Sequence, residues 1–90
     1  MDLERLSEFA QAARCGSMKK LSEETGVPQA TLAARLRSFE NELGVELFRR
    51  SPSGIVLTQA GERLLPSAEE ILEDLRQLRY ELREAERHRY

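Results

Sequence analysis

Only one cysteine, Cys15, and one histidine, His88, occur in the 90 residues. A single thiol excludes an internal disulfide framework and suits a reducing compartment. One His with one Cys also excludes a cluster of metal ligands at the usual spacings, so neither a metal nor another cofactor is expected. No apolar stretch approaches the ~20 residues of a membrane span. The opening Met1-Asp2-Leu3-Glu4-Arg5 has no basic start, apolar run or cleavage site. No secretory leader is therefore expected, and the expected location is cytoplasmic. No Ser-His-Asp set, phosphate-binding loop or paired-carboxylate pocket is recognisable, which leaves an enzyme without its chemistry.

An excess of positive charge is missing too. The formal net charge is −2, whereas a nucleic-acid binder usually carries a basic surplus. Residues 1–61 hold eight basic and eight acidic side chains, and residues 62–90 hold six and eight. No long run has one sign. A cationic face must therefore be assembled by folding, which would gather Lys19, Lys20, Arg35, Arg37, Arg49 and Arg50 on one side. Hydrophobic residues make up 40% and charged residues 33%, a globular composition sufficient for one modest core.

Apolar residues at helical spacing predict a first helix over about residues 2–14, with Leu3, Leu6, Phe9, Ala10 and Ala13 inward. Gly16 suits the left-handed residue that ends it. Ser17 can cap a second helix over 18–24, with Met18 and Leu21 inward. Thr25-Gly26-Val27 then breaks the pattern. A third helix is predicted over 28–43, with Pro28 in its first turn. Leu32, Leu36, Phe39 and Leu43 fall within about 60° of arc at 100° per residue, so that stripe is buried. The opposite face presents Ala30, Ala34, Arg37 and Asn41, with Ala33 to one side.

Val45, Leu47 and Phe48 alternate with polar residues, Ser51-Pro52-Ser53-Gly54 reads as a turn, and Ile55-Val56-Leu57 follows. Two short strands around a turn make a hairpin, a wing. Thr58 can cap a last helix with no obvious stop before residue 89, bent slightly by Pro66 or absorbing it near its first turns. The predicted fold is mainly α: a winged helix-turn-helix over residues 1–58, then a long helix over 59–90.

Two features carry function. Two helices joined by a tight glycine turn, behind a supporting helix, form a helix-turn-helix arrangement. The second of them would enter the major groove of double-stranded DNA, which is about 12 Å wide, with its N-terminal residues at base edges. Those residues are Gln29, Ala30, Thr31, Ala33 and Ala34. A plain three-helix bundle showing polar residues to water fits the same spacing. The second feature is Leu64, Ala68, Ile71, Leu75, Leu78, Leu82 and Ala85, spaced by four, three, four, three, four and three residues, an unbroken heptad seam. A helix of ~30 residues is ~45 Å long, more than one small domain can cover. Leu64 and Leu65 are expected to pack inside the domain and the seam from Ala68 to Ala85 to join a second copy.

Gly16-Ser17, Val27, Gln29, Leu32, Glu40, Leu43-Gly44, Leu47-Phe48, Arg50, Gly54, Val56-Leu57-Thr58 and Ala60-Gly61 fall in one ordered series. In it, LExxLGxxLFxR and LTxAG are the distinctive pieces of LysR-type transcriptional regulators. Leu64-Leu65-Pro66, Ala68 and Ile71-Leu72 resemble that family's linker helix, so the resemblance spans essentially the whole chain. It implies promoter binding as a homodimer through the linker helix, with further assembly into tetramers. It also implies response to a small molecule sensed by a C-terminal domain that these 90 residues lack, as expected of a trimmed piece or a naturally short relative. Lys19, Lys20, Arg37 and Arg50 are expected to be mainly phosphate contacts, and by the resemblance Ser53 is the wing tip.

The sequence also departs from the family. Pro28-Gln29-Ala30-Thr31-Leu32-Ala33-Ala34 stands where members usually have Ser-Gln-Pro-Ala-Leu-Ser-Arg, and Ser53 stands where the wing usually has Arg. Leu21-Ser22 and Thr25 replace an Ala-Ala and a Leu. An alternative reading is therefore a dimerisation or interaction module with weakened or lost DNA binding. Cys15, with no activating partner in view, reads as an inert thiol.

Overall fold

Asp2 opens the first helix by accepting hydrogen bonds on Oδ1 from the backbone N–H of Glu4 (2.7 Å) and Arg5 (3.3 Å). In the computed structural model, which describes residues 2–88, that helix is α1 (Leu3–Cys15). It is followed by α2 (Met18–Thr25), α3 (Gln29–Leu43), β1 (Phe48–Ser51), β2 (Gly54–Leu57) and α4 (Gln59–Arg87). The strands form one antiparallel hairpin in which Phe48 faces Leu57 and Ser51 faces Gly54, so Pro52-Ser53 is a two-residue turn.

α1 lies at the centre and touches α2, α3, α4 and β2. Its Leu6, Phe9 and Ala12 meet Leu21 of α2, Leu32, Leu36 and Phe39 of α3, Leu47, and Ala68 of α4 in one buried cluster. Phe9 is the hub: its ring centroid lies 6.5 Å from that of Phe39 and 5.4 Å from that of Phe48. Truncating such a ring typically costs about 3–5 kcal/mol. Leu43, Phe48, Ile55, Leu57, Leu64 and Leu65 pack around this centre, partly buried.

Four local expectations need correction. Leu3 keeps helical spacing with Leu6 but is 48% exposed, because the core lies under the later turns of α1. Pro28 does not enter α3; it is the capping residue, at φ −56° and ψ 143°, the extended ψ of a residue that leads into a helix without belonging to it. Val45 is not in a strand but in the exposed connection before β1. Ala68, placed at the head of the intermolecular seam, is fully buried in this chain's own core, and Leu72 one turn later is also buried.

The intramolecular cover of α4 thus runs past Leu64 and Leu65 to Leu72. The next turns of α4 still border the start of α1, where Leu75, Arg76 and Arg79 line a hollow with Leu3, Glu4 and Ser7, and the molecule measures 56 × 27 × 20 Å. The helix continues through Pro66 and ends at Arg87; a helix reaching residue 89 falls outside the described residues. No helix among the described residues is long and apolar enough to cross a membrane.

Candidate nucleic-acid interface

The turn between α2 and α3 is held by hydroxyls. Thr25 Oγ1 donates to the carbonyl of Leu21 (2.8 Å) and accepts from the N–H of Val27 (3.2 Å), and Ser22 Oγ donates to the carbonyl of Val27 (2.7 Å). A side chain that hydrogen-bonds its own backbone can replace packing as the constraint on a turn. The polar residues Ser22 and Thr25 therefore fix the entry of α3. At that entry no side chain caps α3, which leaves its first-turn N–H groups pointing outward without a protein partner.

α3 exposes Gln29, Ala30, Thr31, Ala34 and Arg37 together. Ala33 does not join them. It is 8% exposed and forms part of the floor of the hollow between α3 and the hairpin, beside Leu36 and Phe48. Its angular position on α3 lies toward the wing, so its expected place on the outward face is corrected.

The hairpin is fixed from three sides. Glu40 Oε2 accepts from the backbone N–H of Leu47 (2.5 Å) and of Phe48 (3.2 Å), tying the end of α3 to the start of β1. The N–H of Ile55 donates to the carbonyl of Gly16 (3.0 Å). A Cβ at Gly54 would collide with that same carbonyl, so the wing can dock there only with glycine. Behind the hairpin, Thr58 Oγ1 donates to the carbonyl of Glu46 (2.6 Å) and accepts from the N–H of Gly61 (3.1 Å). Gly61 itself is pressed against the carbonyl of Leu47, where a Cβ has no room.

Docked this way, the wing gathers four of the expected residues. Lys19, Gln29, Arg50 and Ser53 line one hollow. Arg37, Arg49 and Arg50 line the adjoining one, with Glu40 and Glu46. Ser53 lies at the exposed tip, its Oγ 3.1 Å from Ser51 Oγ. Two expected cations stand apart. Lys20 borders a separate hollow with Arg14, Cys15 and Glu24. Arg35 turns toward α1, where its Nη1 pairs with Glu8 Oε2 at 2.9 Å.

Cys15 donates from Sγ to Glu24 Oε2 at 3.3 Å. Burial first, then that hydrogen bond and the Glu24 charge, push the thiol above its ordinary range. It therefore stays protonated at neutral pH and is a poor nucleophile. Among the described residues, no three His, Cys, Asp or Glu side chains are grouped to hold a metal ion.

Residues 3–62 match the family described as bacterial regulatory helix-turn-helix protein, lysR family. The chain belongs to the LysR family. It is 38% identical over 88 residues to the HTH-type transcriptional regulator HdfR of Escherichia coli, covering 98% of this chain and 32% of that protein. It spans about a third of the length of the curated relatives it matches. Among solved structures it resembles the DNA-binding domain of CbnR in complex with DNA, with a TM-score of 0.86 and 33% identity over 94% of this chain and 98% of that one. It also resembles full-length AphB of Vibrio cholerae, with a TM-score of 0.81 and 32% identity over 91% of this chain and 28% of that one.

The LysR-type segments acquire physical meanings here. In LExxLGxxLFxR the acid is Glu40, acceptor for two N–H groups at the base of the wing. In LTxAG the threonine and glycine are Thr58 and Gly61, which let α4 start directly against Leu47. On α4, Ile71, Leu78 and Leu82 are 45%, 51% and 62% exposed, Ala85 is exposed and Leu75 is half-buried. Apart from Leu75, the rest of the expected seam is thus an open apolar stripe.

Proposed function

We propose that this chain is the DNA-reading part of a bacterial transcriptional regulator and works as a homodimer. Residues 1–58 form the reading head, and the helix from 59 onward both completes its core and joins two copies. α3 lies in the major groove, while Arg50 and Ser53 of the wing meet the flanking backbone. Activity is binding rather than catalysis, and its place is with the chromosome in the cytoplasm. Assembly into tetramers belongs to this proposal for the longer protein.

The observation that supports this reading best is the pairing of an uncapped, outward-facing α3 start with the cations Lys19 and Arg50, which line one hollow with Gln29 on its wing side. The domain of CbnR that this chain resembles was solved bound to DNA. The exposed stripe of Ile71, Leu78 and Leu82 supports self-association, because two facing copies would cover it at a gain of ~25 cal/mol per Å² before ordering costs.

Hydrogen-bond discrimination rests on Gln29 and Thr31, since Ala30 and Ala34 offer only methyl groups. One bidentate Gln contact is worth about 1–3 kcal/mol of discrimination. The specificity ratio should therefore lie at the low end of the usual ~10³–10⁷, with thymine methyl contacts and the shape of AT-rich sites supplying the rest. The test is fluorescence anisotropy with candidate promoter and mixed-sequence duplexes across a salt series. Binding that weakens with salt, and a promoter preference mostly lost in Gln29→Ala, is the expected result. No salt-dependent binding to either duplex would favour the interaction-module reading instead.

A further inference from the structure

Glu8 of α1 holds two arginines at once. Its Oε1 is 3.0 Å from Arg5 Nη1 and its Oε2 is 2.9 Å from Arg35 Nη1. The side chains differ in exposure: Glu8 is 15% exposed, Arg5 20% and Arg35 39%. The carboxylate is thus enclosed by this chain, and the arginine from α3 is the one open to solvent. Removing one partner of a largely buried pair is costly because it leaves a charge uncompensated. Here Arg5 still offsets the charge of Glu8 when Arg35 departs, but Glu8 Oε1 is buried without a hydrogen bond and Oε2 gives up the one from Arg35, so the penalty is reduced rather than removed.

Arg35 is also placed where a departing guanidinium would find another anion. It follows exposed Thr31 by four residues, which sets it about 40° around the helix from Thr31, on the flank of α3 nearest α1. A helix with its side chains is about 10–12 Å across, and the major groove is about 12 Å wide. The flanks of an inserted helix therefore run along the two phosphate walls. Lys19 and Arg50 lie at the wing side of α3; Arg35 is the cation on the other side.

We propose that Arg35 is a phosphate contact held in reserve, released from Glu8 to the DNA backbone when α3 enters the groove. The proposal rests on the DNA-binding reading above. It makes Glu8 a regulator of affinity, since each binding event exchanges a partly exposed ion pair for a phosphate contact. The site also offers a basic side chain in place of the one that Ala34 lacks.

The experiment measures affinity for a fixed duplex across a salt series, in the parent and in Arg35→Gln, Arg35→Lys, Glu8→Gln and the Glu8→Gln/Arg35→Gln pair. Circular dichroism melts accompany each. Arg35→Gln should shrink the slope of log K against log salt by about 0.9 per subunit, and Arg35→Lys should keep it. Glu8→Gln should tighten binding about two- to fivefold per subunit at unchanged slope, the fold-change of one partly exposed ion pair. That tightening should vanish when Arg35 is already Gln. If Glu8 and Arg35 only clamp α1 to α3, both single variants weaken binding and the slope stays at the parental value, which overturns the proposal. A parent protein with no salt-dependent binding fails at the first measurement, and there the DNA-binding reading falls, taking this one with it.

Discussion

Glu40 joins the recognition helix to the wing, and its removal is the most informative perturbation. Its Oε2 accepts from the backbone N–H groups of Leu47 and Phe48 in a partly buried setting. Glu40→Ala would leave both donors without a partner at a place where Leu47 is 1% exposed. Each orphaned buried donor costs about 1–3 kcal/mol, and bonds to a charged acceptor lie at the upper end of hydrogen-bond strength. The substitution should therefore destabilise the protein by about 3–5 kcal/mol. Glu40→Gln keeps an acceptor oxygen but loses the charge, and should cost about 1–2 kcal/mol. The assay is urea unfolding at one fixed protein concentration, since self-association adds to apparent stability. A Glu40→Ala protein within about 1 kcal/mol of the parent, the lower bound for a single orphaned donor, would refute the assignment.

On α4, Leu78→Lys with Leu82→Lys should give a folded monomer by light scattering, because both side chains are exposed and neither belongs to the core; a dimer in that variant would place the interface elsewhere. Lys19→Ala and Arg50→Ala should each weaken binding to all DNA sequences and shrink the salt slope by about one for every phosphate left unneutralised, whereas Lys20→Ala, which lines a different hollow, should leave the slope alone. A raised thiol pKa means less thiolate at a given pH, so Cys15 should be alkylated more slowly near neutral pH than an unperturbed thiol. Glu24→Gln, which removes the carboxylate charge that raises that pKa, should speed the reaction; an unchanged rate contradicts the cause given.

The helices, the hairpin and the order of elements were legible because each has a local signal: an apolar period of about 3.6 residues, a cap or a Pro-Ser turn. The buried stripe Leu32, Leu36, Phe39 was legible for the same reason. Position on a helix face is less local. Ala33 and Ala34 are equally small, and only the docking of the wing decides that one is covered and the other open. Ala68 keeps the heptad spacing with Ile71 and Leu75, yet α1 reaches it before any partner could. Ser22 and Thr25 first stood out as replacements of family residues; their hydrogen bonds make them the clamps of the turn. Arg35 was grouped with the other cations on charge alone, and its partner Glu8 lies 27 residues away, beyond any spacing rule.

The charge balance that counted against DNA binding is resolved by where the acids go. Residues 1–61 hold equal numbers of acids and bases, but several of the acids are engaged by the fold itself. Glu4 and Glu8 pair with Arg5 and Arg35, Glu40 accepts backbone N–H groups, and Glu24 accepts from Cys15 on another side of α2. Lys19, Arg37, Arg49 and Arg50 remain exposed around the two hollows between α3 and the wing, with Glu46 the acid that lines the same surface without a side-chain role in the backbone frame. A local field of this kind acts within about 10 Å at about 0.1 M salt, which is the range over which a bound duplex meets the face. The net charge of the chain governs approach from farther away, so association should be slower than for a basic domain while the contacts made on arrival are not weakened.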